Sequence, residues 1–211
     1  MQKSYSQYNQ EEFVLKYHNN KTNGVFIELG GLDGLRHSNT YLLENKYKWN
    51  GLIIEPSPTL YNELIKNRNV NTENILVGDN IQQDVEFLHI ENKDKCIGLQ
   101  GIKKQYNSKH LSRIMKELNY DNNSYNIINI NMTTLQNLCN KYNLTHIDYL
   151  SLDVEGSELI VLKGIDFEKS NIKLIGVEIN YEDDKKEIFD ILLKNGYKFI
   201  KKQGDYFFEK Q

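Results

Sequence analysis

Alanine is missing from the 211 residues, arginine is rare, and there are only two prolines and two cysteines. No apolar run approaches the ~20 residues that a membrane-spanning helix needs. The opening Met1-Gln-Lys-Ser-Tyr-Ser-Gln lacks the apolar core of a secretory signal. Cys96 and Cys139 show neither metal-ligand nor redox spacing, which argues for reduced thiols in a cytoplasmic protein rather than a disulfide framework. Cys139 falls at helical spacing in Leu135-Gln-Asn-Leu138-Cys139 and reads as core. An excess of base is also missing. The net charge is -3, and the pairs Lys103-Lys104, Lys185-Lys186 and Lys201-Lys202 are scattered as solvated faces would be. Nucleic acid is therefore not the expected partner, because phosphate contacts call for a dense basic surface. Asparagine and lysine stand where alanine and arginine usually would, which reads as a coding bias of the source.

What is present is a globular composition, 39% hydrophobic and 26% charged, long enough for one large domain over 1–211. Apolar clusters and turn signals alternate in a βα rhythm. Val25–Leu29 reads as a buried strand ended by Gly30-Gly31, with a helix following through Asn39 to Lys46. Gly51–Glu55 is a second strand stopped by Pro56. Ser57 then caps a helix with Pro58 at its first position. Residues 74–78 read as a third strand, and Val85–Ile90 as an extra one. A stretch at about 91–125 is less regular and reads as an insertion over the carboxyl edge of the sheet. Within it Lys109–Leu118 looks helical, and Tyr125–Ile130 looks extended. The rhythm resumes with a helix from Thr134, a strand over 147–153, a helix over 157–163 closed by Gly164, a strand over 174–179, and a helix over 183–194. Gln203-Gly204-Asp205 joins two short strands as a hairpin. Glu11–His18 reads as a helix packed across the domain. The predicted fold is α/β: a doubly wound, mainly parallel sheet with an antiparallel strand from the C-terminal hairpin.

Two constellations carry chemistry. The first turn, Glu28-Leu-Gly30-Gly31-Leu-Asp33-Gly34, lies where open α/β sheets bind ligands, and Glu55 ends the next strand, where a carboxylate takes a ribose diol. The dinucleotide pattern G-x-G-x-x-G and the phosphate loop G-x-x-x-x-G-K-[ST] are both absent. Carboxylates in the turn repel a pyrophosphate but suit an ammonium or sulfonium, which points from NAD or ATP towards S-adenosylmethionine. The second constellation is Asp148-Tyr-Leu-Ser-Leu-Asp153-Val-Glu155-Gly156-Ser157-Glu158. Asp153 ends a strand beside the same crevice, Glu155 follows it, and Glu178 ends the next strand. Glu158 reads more simply as a complement to its helix dipole.

These stretches resemble the FkbM-type family of S-adenosylmethionine-dependent methyltransferases. The resemblance rests on Phe26-Ile-Glu28-Leu-Gly30-Gly31-Leu-Asp33-Gly34, Ser38-Asn39-Thr40, Trp49 to Pro58, Asn67-Arg68, Thr133-Thr134-Leu135, Ile147 to Glu158, and Val177-Glu178-Ile179-Asn180. Gly31-Leu32 replaces the middle of the family's usual first turn, and residues 91–125 match poorly. The resemblance implies a class I methyltransferase (Rossmann-like) fold. It implies Glu28, Gly30, Gly31 and Asp33 around the methionine moiety of the donor, and Asn39 and Thr40 on its carboxylate. It implies Glu55 on the ribose and Asp79 near the adenine.

Asp153 and Glu155 are the expected catalytic residues, acting as base or orienting groups. A divalent cation held by Asp153, Glu155 and Glu178 is the less favoured alternative, and no metal ligand is assigned. His37 and His110 rank below Asp153. The expected activity is O-methylation of a sugar, a nucleotide sugar or a similar small polar acceptor. The rivals are a non-catalytic nucleoside-binding domain of the same fold, an NAD-linked oxidoreductase, and a methyltransferase acting on RNA or protein.

Overall fold

The computed structural model describes residues 4–90, 97–106, 108–121 and 125–211. Cys96 and part of the 91–125 stretch lie outside the described residues, as does the side chain of His110. Helix α1 (Gln10–Tyr17) precedes strand β1 (Val25–Leu29), helix α2 (Tyr41–Tyr47), β2 (Asn50–Ile54), α3 (Pro58–Asn67) and β3 (Asn71–Glu73). Strands β4 (Leu76–Gly78), β5 (Gln82–Ile90) and β6 (Gly101–Ile102) follow, then α4 (Ser108–Asp121) and β7 (Tyr125–Thr134). The chain next alternates α5 (Leu135–Lys141), β8 (Ile147–Leu152), α6 (Glu158–Lys163), β9 (Ile172–Val177) and α7 (Glu182–Lys194). It ends in the hairpin β10 (Tyr197–Gln203) and β11 (Asp205–Lys210).

Among the described residues these strands build two sheets. The larger has the order β10-β11-β9-β8-β1-β2-β3. Its pairs are parallel except those of β11, which is antiparallel to both β9 and β10 and so lies between them rather than at the edge. From β1 the chain winds one way through β2 and β3, and from β8 the other way through β9. The order therefore reverses between β1 and β8, and a crevice opens at such a switch point. Each central strand buries both faces. Ile27, Leu29, Leu150, Leu152 and Ile175 pack with Leu138, Val161, Ile188 and Leu192 of α5, α6 and α7. Phe26, Tyr149, Leu174 and Phe207 pack on the other face with Val14, Leu42, Leu43, Trp49 and Leu64. Each fully buried aliphatic side chain contributes about 1.5–3 kcal/mol, so the helices on both faces follow from near-continuous apolar strands. The doubly wound α/β architecture expected from the sequence is the one observed.

The second sheet was not foreseen. Its order is β4-β7-β5-β6, and most of it is antiparallel. Residues 74–78, expected as one strand of the main sheet, divide at Asn74. The Asn74 Nδ2 donates to the carbonyls of Glu55 (2.8 Å) and Pro56 (2.9 Å), which pins the bend. Asn71–Glu73 stays beside β2, and Leu76–Gly78 leaves to pair with β7. The irregular stretch is thus the middle of a larger layer running from β4 to β7. No helix among the described residues is long and apolar enough to cross a membrane.

A buried charge network ties the first half of the sheet to its helices. Arg68 follows α3 and its side chain is fully buried. Its guanidinium donates to Glu44 (2.5 Å) and Glu28 (3.4 Å), to Ser38 and Thr40 hydroxyls, and to the Gly34 carbonyl. Removing the base leaves two carboxylates in the core without their counter-charge, a loss of about 3–5 kcal/mol. Arg68→Ala should therefore lower unfolding free energy in urea by roughly that amount. Arg36→Ala, which breaks the partly exposed pair with Asp33, should cost under about 1 kcal/mol. Equal effects of the two variants would refute the network's structural weight.

Candidate functional site

At the carboxyl ends of β1, β2 and β8 a crevice of about 650 Å³, mouth included, is lined by Gly30, Leu32, Glu55, Asp153, Glu155 and Ser157. Its apolar wall comes from Ile54, Ile75, Val77, Phe87 and Ile102, and Gln100 and Gly98 complete the roof. The second sheet supplies that roof through Phe87 and Ile102. Gly30 has φ +85°, and a Cβ there would collide with the Asp153 carbonyl. Only glycine lets the first turn approach the β8 end so closely.

Glu55 is 3% exposed. Leu32 N–H donates to one carboxylate oxygen and Ser57 N–H to the other, each at 2.8 Å. Burial pushes its carboxyl up to about 8, and the two amide bonds offset only part of that. Leu32 itself sits at φ 49°, a left-handed conformation uncommon for a branched residue, which aims its N–H at Glu55.

Facing Glu55 across the crevice is the acidic segment after β8. Asp153 and Glu155 are half-buried. Glu155 has φ 51° and Gly156 φ 93°, so the chain reverses sharply and carries Glu155 against Gly98. Asp153 is raised well above the usual carboxylate range by burial, then by the charges of Glu178 and Glu155. Glu155 is raised in the same direction by burial and by the Glu178 and Glu158 charges. One carboxylate oxygen from each of Asp153, Glu155 and Glu178 lies within 4.8 Å of the others. Glu158, read from the sequence as a dipole complement, accepts from the Val154 and Gly156 amides and so holds this loop in shape. Burial pushes it up to about 7.

The other expected donor contacts are placed differently. Glu28 is buried and accepts from Ser38 Oγ, the Asn39 amide (2.7 Å), Thr40 Oγ1 (2.5 Å) and Arg68. Thr40 is the N-cap position of α2 rather than a residue within it. Asn39 Nδ2 donates to Ser151, while its buried Oδ1 meets no protein partner. Asp33 caps its own turn, accepting from the Leu35 and Arg36 amides and the Arg36 side chain. Glu28, Gly31, Asp33, Asn39 and Thr40 thus build the loop under the crevice, whereas Gly30, Glu55, Asp153 and Glu155 line it. Asp79 is exposed and borders a neighbouring depression with Asp84, Glu86 and Lys104. His37 is exposed. Sequence reasoning missed Gln100 and Gly98, which sit in the stretch read as insertion, and Asp205, read only as part of a turn.

Residues 23–199 match the family model described as the methyltransferase FkbM domain. The chain belongs to that family. No curated protein matches it. Among solved structures, a Pyrococcus horikoshii protein named as an inferred RNA methyltransferase shares 10% identity at a TM-score of 0.46. That alignment covers 95% of this chain and 81% of the other. An Aquifex aeolicus protein named as a SAM-dependent methyltransferase shares 12% identity at a TM-score of 0.41, over 94% of this chain and 86% of that one. Resemblance at this level says nothing of what an FkbM-domain chain acts upon.

The buried acids set a pH dependence. Glu55 titrates at about 8 folded against 4.5 ordinarily, so its share of stability is intact below about 4.5 and lost as pH rises through 8. Asp148 runs the other way. Burial draws it up, but bonds from Lys21, the Val25 amide and His146 outweigh that and hold it at about 2. Its share is present above 3.8 and lost as pH falls towards 2. The ligand-free protein should therefore melt at a lower temperature at pH 8 than at pH 5. Glu55→Gln, which mimics the protonated acid, should flatten that limb. An unchanged slope in the variant would remove Glu55 as its source.

Proposed function

We propose that this FkbM-domain chain transfers a methyl group from S-adenosylmethionine to a hydroxyl of a sugar, nucleotide sugar or similar small polar acceptor. The observation that carries the reading is Glu55, a buried carboxylate ending β2 inside a crevice whose opposite wall bears Asp153 and Glu155. The donor set fits this cofactor. Glu55 offers two oxygens to a ribose diol, Ile75 and Val77 offer apolar surface to an adenine, and Asp153 and Glu155 offer negative charge to a sulfonium. Asn39 Oδ1, buried without a protein partner, is suited to accept from an ammonium.

The sulfonium supplies an activated methyl electrophile when bound. The chain's own residues have the remaining work. Gly30 and Leu32 set the first turn close to the β8 end, which aligns donor and acceptor, and such alignment alone accounts for several kcal/mol of barrier reduction. The roof residues Phe87 and Ile102 exclude water. Asp153 and Glu155, with carboxyls raised towards neutral pH and above, are suited to receive the acceptor's hydroxyl proton.

The acceptor class is supported by charge and lining. The net charge of -3 disfavours phosphate-rich polymers. Gln100 and the acidic pair offer hydrogen bonds suited to hydroxyls rather than to an apolar ring. Exposed Lys103 and Lys104, beside the roof, suit the diphosphate of a nucleotide sugar. A cytoplasmic location accords with such a substrate.

Glu55→Ala should weaken donor binding by about 2–4 kcal/mol, roughly 30- to 1,000-fold, in calorimetry with S-adenosylmethionine. Tighter binding of NAD than of S-adenosylmethionine would overturn the cofactor. Asp153→Asn should lower turnover far more than donor affinity. A labelled-methyl assay across nucleotide sugars, oligosaccharides, structured RNA and protein decides the acceptor. Label confined to RNA or to protein would refute the hydroxyl-sugar reading.

A further inference from the structure

We propose that Asp153, Glu155 and Glu178 bind a hard divalent cation of the magnesium, manganese or calcium class at the acceptor side of the crevice. Three separate pieces of chain converge there: the end of β8, the reversed loop after it, and the end of β9. One oxygen from each carboxylate lies within 4.8 Å of the other two. Oxygens around a hard cation sit about 2.0–2.6 Å from it, hence no more than about 4–5 Å from one another. The set is all oxygen, with no nitrogen or sulfur ligand, which selects magnesium, calcium or manganese over zinc or copper. Proximity of three acids alone would not make a site.

A second observation points to a ligand. Ser157 is 3% exposed and lines the same crevice as Asp153 and Glu155, yet its Oγ meets no protein partner. Asp205 is 4% exposed, and its Oδ2 is also without a partner, although its Oδ1 accepts from Gln10. The last printed pair of the β9–β11 ladder is Tyr206 with Val177, so one step further Asp205 comes opposite Glu178, on the same face of the sheet. Buried polar atoms left unmatched cost about 1–3 kcal/mol each. A hard cation with three carboxylate ligands keeps several waters. Ser157 Oγ and Asp205 Oδ2 flank the cluster where such waters would be bonded, and a carboxylate behind the ligands is the usual orienting partner.

The local charge balance agrees. Asp153, Glu155, Glu178, Glu158 and Asp205 crowd one corner, and each of the first two is raised by its neighbours' charge. Arg113 reaches Glu155 only through space, its Nε being bonded to Glu117 at 2.8 Å. A dication neutralises what the chain itself leaves uncompensated. The site adjoins the crevice read above as the transfer site, but binding of the ion does not depend on that reading.

The test is calorimetric titration of the chelator-treated full chain with magnesium, manganese and calcium chlorides, without donor or acceptor. One saturable site is expected for at least one of the three ions. Asp153→Asn and Glu178→Gln should each weaken it at least 10-fold. Asp205→Asn should weaken it by about 10- to 100-fold, as loss of an orienting partner does. Glu182→Gln, in an exposed acid of α7, should leave it unchanged. Should Asp153→Asn fail to fold, the half-buried Glu178 carries the comparison. No saturable binding to folded wild-type chain, or undiminished binding in Glu178→Gln, overturns the site. Methyl transfer by a chain that binds no cation would do the same while leaving the proposed activity intact.

Discussion

The guanidinium of Arg68 is the point from which the crevice hangs. It is enclosed between α3, α2 and β1, and it meets two carboxylates, two hydroxyls and one carbonyl. Four of these five partners, in Glu28, Gly34, Ser38 and Thr40, belong to β1 or to the loop from β1 to α2. That loop carries Gly30 and Leu32, and Leu32 N–H holds Glu55. A charge-paired network thus fixes the loop from below and leaves its upper edge to ligand. Burying Arg68 with its partners is neutral at best compared with apolar packing. What it supplies here is position, since several directional bonds specify one loop geometry where apolar contact would allow several.

The same loop explains why the glutamates at the ends of two adjacent strands differ in role. Glu28 and Glu55 are both nearly fully buried. Glu28 has a permanent counter-charge in Arg68. Glu55 has two amides and no base, and burial pushes its carboxyl up. A carboxylate already paired gains little from a ligand. One held in readiness by amide dipoles gains more, because a hydroxyl or cation brought to it compensates desolvation already incurred in folding. That contrast separates the structural acid from the binding acid better than their similar positions in sequence do.

Strand and helix rhythm was legible because the main sheet is buried on both faces. Its strands are apolar runs, and its helices end at glycine, proline or asparagine signals such as Gly164, Pro58 and Asn195-Gly196. Glu55 and Asp153 were legible because strand ends in this fold meet a ligand whatever the intervening sequence. The second sheet was not, since its strands alternate polar and apolar residues and pair across a long separation that local pattern does not record. Glu28, Asn39 and Thr40 were read as ligand contacts because motif spacing shows closeness to the site but not the direction of a side chain. Nothing local distinguishes an acid that points to Arg68 from one that points to solvent. Asp205 was hidden for a similar reason: its neighbour Glu178 is 27 residues away in the chain, and only the placement of β11 between β9 and β10 brings them together.

The roof is joined to the floor by polar atoms rather than by packing alone. Ser57 N–H donates to Glu55, and Ser57 Oγ lies 3.2 Å from His89 Nδ1. His89 Nδ1–H and the Ile90 amide both reach Gln100 Oε1, at 2.8 and 3.0 Å. Because an amide oxygen accepts from the Ile90 N–H at that point, the second bond fixes His89 as the tautomer that donates from Nδ1. The path from the ribose-type acid Glu55 to the roof residue Gln100 is therefore continuous and buried. It links the two sheets at the one place where both border the crevice. A ligand drawn to Glu55 meets Gln100 already oriented, and the acceptor side, which varies most from the family pattern, is held in register with the donor side by residues whose own sequence positions fall within the irregular stretch and just before it.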